Sequence, residues 1–333
     1  MRTTLENLLA LGRPILADGA TGTNYFGMGL GPGEPPEMWN LDHPERVREL
    51  HAAFVAAGAD VILTNTFGCN RYRLGLHDAA DRAYEIAHRA AALASDVADA
   101  VDRPVLVAGS VGPTGELLDP LGTMTEDAAA AAFAEQISGL RDGGADIAWI
   151  ETKSAAGEMR AAARAAIECG VPYAVTGSFD TAGRTMMGLA PSELANVFDG
   201  LEVQPAAIGA NCGVGASDLL IAIQQIRHAG GVVIAKSNCG VPRFEGTEIV
   251  YSGDPAVMAN YAVLAVDSGA RIIGGCCGTS PEHLAEMKRA LDAHQPRPTP
   301  SLAEIVATVG PLANPVAADN SQARERRSSR RRT

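Results

Sequence analysis

Arg271-Ile272-Ile273-Gly274-Gly275-Cys276-Cys277-Gly278 is an apolar run that stops in a glycine-framed turn carrying two adjacent thiols. The same pattern recurs upstream. Pro14-Ile15-Leu16-Ala17 runs into Asp18-Gly19-Ala20-Thr21-Gly22-Thr23, Val61-Ile62-Leu63 into Thr64-Asn65-Thr66-Phe67-Gly68, and Val105-Leu106-Val107-Ala108 into Gly109-Ser110-Val111-Gly112-Pro113. Ile147-Ala148-Trp149-Ile150 ends at Glu151-Thr152, Tyr173-Ala174-Val175-Thr176 at Gly177-Ser178, Ala206-Ala207-Ile208-Gly209-Ala210 at Asn211-Cys212, and Val232-Val233-Ile234-Ala235 at Lys236-Ser237-Asn238-Cys239. Apolar runs without alternation are the mark of strands buried on both faces. Helical patterns separate them, over residues 45–57, 78–100, 126–142, 155–168, 192–201, 217–228, 254–267 and 281–293. Eight such units predict a (β/α)₈ barrel over residues 1–296, with an open doubly wound sheet as the alternative. In a barrel, chemistry belongs at the C-terminal ends of the strands, where all of these polar turns fall.

Two neighbouring cysteines on a regular strand would point to opposite faces, so they share a task only where the backbone bends, which glycine permits. The plain alternative is small residues closing a crowded strand end. Cys212 ends the sixth strand and Cys276 and Cys277 end the eighth, two strands away on one rim. Three thiolates with one exchangeable position have the form of a catalytic zinc site, whereas a structural site is closed by four protein ligands. The strand between them ends at Asn238-Cys239, of which only one side chain can face the metal. Asn238 as a displaceable ligand leaves room for a substrate; Cys239 would close the site. Cys69 and Cys169 read as small buried hydrophobes.

Composition narrows the partners. A net charge of −12 and a pI near 5.1 argue against nucleic acid, and the acidic excess is partly hidden by six arginines within residues 324–332. Residues 297–333 read as a C-terminal extension with a short helix over 302–309, disordered and Arg-rich from about 317. The cysteines form no disulfide-like framework and the N-terminus has too short an apolar run for a secretory signal, so a cytoplasmic location is expected, with no membrane span. Residues 25–43 and 240–253 are long connections placed to cover the barrel mouth.

Taken in order from Leu11 to Leu291, the Asp18–Thr23 turn, Thr64-Asn65-Thr66-Phe67, Gly109-Ser110-Val111-Gly112-Pro113, Glu151-Thr152, Asn211-Cys212 and the paired-cysteine motif resemble the homocysteine S-methyltransferase family. Members of that family are (β/α)₈ barrels, with betaine-dependent, S-methylmethionine-dependent and cobalamin-dependent methionine synthase branches. The resemblance implies that Cys212, Cys276 and Cys277 hold Zn²⁺, which binds the homocysteine sulfur. It also implies that Glu151 takes the substrate ammonium, that Asp18 and Gly19 form a substrate turn, and that methionine is the product. Thr66 is expected as a hydroxyl partner and Asn211 as a support for the ligands. An asparagine in zinc's open position, as expected for Asn238, is the pattern of the cobalamin-dependent branch.

The methyl donor is less legible. A vertebrate-type betaine cage surrounds the quaternary ammonium with aromatic rings, one of them a tyrosine after the glutamate, where this chain has Thr152. Trp39 and Tyr72 are the candidates for a different cage. A methylcorrinoid partner protein, or one carrying methylfolate, is the other donor; it would dock on the barrel mouth through the acidic body or the Arg-rich tail. S-methylmethionine, a non-catalytic zinc and homocysteine sensor, and a lyase using the cysteines as nucleophiles are the further alternatives.

Overall fold

The computed structural model describes residues 3–314 apart from 228–230, 241 and 246–247, with backbone alone for 242–245 and 248–250. The Arg-rich tail and His228 therefore lie outside the described residues. Eight parallel strands form one sheet in the order β1-β10-β7-β6-β5-β4-β3-β2. They are β1 (Ile15–Leu16), β2 (Val61–Leu63), β3 (Leu106–Val111), β4 (Ile147–Lys153), β5 (Tyr173–Gly177), β6 (Ala207–Cys212), β7 (Val233–Ser237) and, after a two-stranded hairpin of β8 (Pro242–Glu245) and β9 (Glu248–Tyr251), β10 (Ile272–Gly275). A parallel bridge between Ala17 and Val61 joins β1 to β2, so the ring closes as a (β/α)₈ barrel.

Strand pleating explains why such short runs suffice. Successive side chains alternate between faces, and two separate apolar clusters result. Ile15, Ala17, Val61, Leu63, Leu106, Ala108, Ile147, Trp149, Ala174, Ala207, Ile234 and Ile272 fill the barrel interior, with Leu5 and Leu8 of the N-terminal helix Leu5–Leu9 joining them. The residues between them, Leu16, Ile62, Val107, Ala148, Ile150, Val175, Ile208, Val233 and Ile273, belong to the second cluster, with the surrounding helices. Each fully buried aliphatic contributes roughly 1.5–3 kcal/mol of burial free energy before conformational entropy is set against it. Alanine-rich inner faces on helices Ala83–Asp99 and Ala156–Glu168 let them lie close to the sheet.

One expectation changes. Residues 192–201 form two 3₁₀ turns, Pro191–Glu193 and Ala195–Phe198, in place of an α-helix, because the apolar stretch is too short before Asp199 and Gly200. The C-terminal extension carries the expected helix Leu302–Val309, which buries Ile305, while Ser217 donates to the Gly310 carbonyl and Asp218 accepts from the Ala313 and Asn314 amides. Among the described residues no helix is long and apolar enough to cross a membrane.

Candidate metal centre and cavity

Continue the inward-facing alternation one step past the apolar layer and the side chains turn polar. Ser110 follows Ala108, Glu151 follows Trp149, Thr176 follows Ala174, Lys236 follows Ile234, and Cys276 lies four beyond Ile272. Above this layer opens a cavity of about 580 Å³, lined by Ser110, Glu151, Lys236, Cys212, Cys276 and Cys277 among others, and by the turn from Gly19 to Thr23.

The Sγ atoms of Cys212, Cys276 and Cys277 lie within 4.8 Å of one another, the only such group of ligand atoms among the described residues. Backbone geometry aims them. Cys212 has φ +62°, a left-handed conformation that costs a non-glycine residue about 1 kcal/mol or more and turns its side chain off the strand direction. Cys276 N–H donates to the Ser237 carbonyl at 2.6 Å and Cys277 N–H to Asn238 Oδ1 at 3.1 Å, so the paired turn is pinned to the end of β7. The three thiols hold one another's protons. Hydrogen bonding with Cys276 and then burial push Cys212 up to about 12; contact with Cys212 and burial push Cys277 up to about 11. Three soft donors this close cannot ionise together without a cation, and a soft divalent ion meets that need.

Asn238 spans both cysteine turns, accepting from Cys277 N–H and donating from Nδ2 to the Gly213 carbonyl at 2.8 Å. Cys239 turns away: its Sγ donates to the Gly253 carbonyl and it stands outside the thiol group. Asn211 is spent on its neighbours, accepting from Thr152 N–H and Thr176 Oγ1, donating to Thr152 Oγ1, and approaching Cys276 Sγ at 3.8 Å. Thr152 has φ +59°, and its bonds to Asn211 hold it there.

Glu151 lies on the cavity floor with Oε1 accepting from Ser110 Oγ at 2.5 Å. Burial raises its pKa, while Lys236, Ser110 and Lys153 oppose the rise and Asp18 adds to it. Gly19 lines the cavity, but Asp18 lies behind the surface, fully buried, with Oδ2 accepting from Leu63 N–H and Oδ1 paired with Lys236 Nζ, each at 2.7 Å. Thr66 is also set back, its hydroxyl donating to the Ser110 carbonyl at 2.7 Å. Trp39 is buried against Tyr25, with Arg46 over its ring at 4.9 Å, and neither Trp39 nor Tyr72 lines the cavity; its aromatic walls are Phe26 and Phe67.

Two neighbours of the site escaped the sequence reading. Lys236 carried a usable signal, a lone charge at the top of a strand whose four preceding residues are apolar. Tyr251 carried none: it comes from the hairpin after β7, and its hydroxyl bonds the Cys277 sulfur.

A family model described as homocysteine S-methyltransferase matches residues 15–291. Methionine synthase of Mycobacterium leprae (strain TN) is 31% identical over 297 residues, covering 84% of this chain and 24% of that protein. Its counterpart in Mycobacterium tuberculosis (strain ATCC 25618 / H37Rv) is 32% identical over 297 residues, covering 84% and 25%. The chain thus spans about a quarter of the length of these curated relatives. The metallated homocysteine methyltransferase MmuM from Escherichia coli superposes with a TM-score of 0.73 at 23% identity, covering 86% of this chain and 99% of that one, a likeness of fold.

Proposed function

This chain belongs to the homocysteine S-methyltransferase family, and from that premise we propose that it is a zinc-dependent methyltransferase converting homocysteine to methionine. The observation that carries the reading is the convergence of Cys212, Cys276 and Cys277 within 4.8 Å on the wall of a cavity whose floor bears Glu151. These three cysteines would hold the zinc, and Asn238 is the proposed exchangeable ligand that gives way to substrate. Bound zinc supplies a thiolate at neutral pH from a thiol that would otherwise stay largely protonated.

The chain's own residues do the rest. Glu151, oriented by Ser110, accepts the substrate ammonium and fixes the amino-acid end. Asn211, locked by Thr152 and Thr176, steadies Cys276. Gly19 forms the wall against which the carbon chain lies. The homocysteine sulfur then attacks the donor's methyl carbon in line; the new S–CH₃ bond forms as the old bond's electrons leave with the donor. No general base is required of the chain, since a zinc-bound thiol would release its proton to solvent.

For the donor we favour a methylcorrinoid carried by a partner protein over betaine or another onium compound. Trp39 and Tyr72, the rings an alternative cage needed, stand off the cavity wall. The test is the full chain with equimolar zinc, homocysteine and, separately, methylcobalamin, betaine and S-methylmethionine. We expect methionine from methylcobalamin, and loss of both zinc and turnover in Cys212→Ala. Turnover at native zinc content in Cys212→Ala would refute the three-thiolate site. Homocysteine binding without methionine from any donor would favour a sensor or show that a corrinoid partner protein is missing, and zinc lost from Cys276→Ser with activity intact would overturn zinc-dependent transfer and leave Cys212 or Cys277 as the candidate nucleophile.

A further inference from the structure

Lys236 is 2% exposed, yet it lines the cavity. Its ammonium has three N–H donors. Asp18 takes two, through Oδ1 at 2.7 Å and its backbone carbonyl at 3.1 Å. Both contacts come from one residue that is itself buried behind the wall, so Asp18 holds the cation in place and leaves its remaining donor to the cavity. The floor therefore offers a fixed cation from β7 beside a fixed carboxylate, Glu151 from β4, below three thiols.

An α-amino acid carries an ammonium and a carboxylate on one carbon, and homocysteine carries a thiol two methylenes further out. Glu151 answers the first group and the thiol cluster the last. The carboxylate needs a donor. The Gly19–Thr23 turn and Arg73 also line the cavity, but Lys236 is the lining cation close enough to Glu151 to act on its charge, and a lysine ammonium is a point-charge donor suited to the task. From this juxtaposition we propose that Lys236, positioned by Asp18, is the residue that binds the carboxylate of the thiol substrate and so restricts the site to zwitterionic amino-acid thiols. The proposal rests on the acceptor reading given above. It also reassigns Asp18 from substrate contact to the anchor of Lys236.

The test is calorimetric titration of the zinc-loaded chain with homocysteine, with 3-aminopropanethiol, which lacks the carboxylate, and with 4-mercaptobutanoate, which lacks the amine. Wild-type protein should bind homocysteine about 10- to 100-fold more tightly than 3-aminopropanethiol, the span of one charge-assisted hydrogen bond. Lys236→Met should erase that preference, weakening homocysteine far more than 3-aminopropanethiol, and Lys236→Arg should restore part of it. Because Lys236→Met strands a buried carboxylate, the double variant Asp18→Asn/Lys236→Met is measured beside it, with zinc content and circular dichroism verifying the fold. Equal weakening of homocysteine and 3-aminopropanethiol, or no change in either, would overturn the lysine assignment alone. Wild-type protein that binds none of the three thiols would sink the acceptor reading, and this proposal with it.

Discussion

At the scale of the residue, Glu151 carries a conflict between stability and use. Its folded pKa stands above the usual carboxylate value because burial disfavours the charge more than Lys236, Ser110 and Lys153 favour it, with Asp18 adding to the rise. A group raised on folding contributes stability that is present below its unfolded pKa and lost as pH rises through its folded pKa. At neutral pH an ionised Glu151 is therefore a cost to the fold, and Glu151→Gln should shift the urea midpoint upward or leave it in place. The same change should weaken homocysteine binding about 10- to 100-fold by removing a charged partner. In wild type, affinity should fall on acidification at a pH above the ordinary glutamate value, as the carboxylate protonates. An unchanged affinity in Glu151→Gln would remove it from the substrate shell.

At the scale of the element, the turn after β1 shows what a pattern of residue types can and cannot convey. Glycine after Asp18 read as a polar turn. Its necessity appears only in three dimensions, where a Cβ on Gly19 would lie 2.5 Å from the Thr279 carbonyl and 2.9 Å from the Phe54 ring. Gly19→Ala must push the turn off the β10 loop, costing about 1–3 kcal/mol by overpacking, and should also weaken homocysteine binding because the turn is cavity wall. Denaturation midpoint and titration measured together check both effects. The strands themselves were legible, since each needs only three or four apolar residues ending in a polar turn. So was the convergence of Cys212 with Cys276 and Cys277, because a barrel brings alternate strand ends to one rim. Thr66 and Asp18 point elsewhere than expected for a local reason. Each sits at a strand end where side-chain direction depends on a neighbouring strand, through Ser110 and Lys236 respectively, and linear spacing carries no record of that neighbour.

At the scale of the whole molecule, the C-terminal segment is part of the barrel's outer layer. Ending the chain at residue 296 would uncover the site of Ile305 and break the bonds from Ser217 and Asp218, so the truncated protein should lose about 2–4 kcal/mol of stability, read as a lower denaturation midpoint. Zinc retention should be unaffected, since the cysteines lie on the cavity side. Asp18 acts over a still wider span. Its amide donates to Val61 and its carboxylate accepts from Leu63, both of β2, while its carbonyl receives Gly275 N–H of β10 and the ammonium of Lys236 of β7. The atoms that close the ring are thus bonded directly to the atoms that face the ligand. Anything that steadies Lys236 from within the cavity will slow the opening of the seam, so homocysteine should retard hydrogen exchange at the Leu63 amide more than at interior amides of β4 or β5. The seam would then act as a built-in gauge of occupancy, with local breathing of the barrel falling as the acceptor binds.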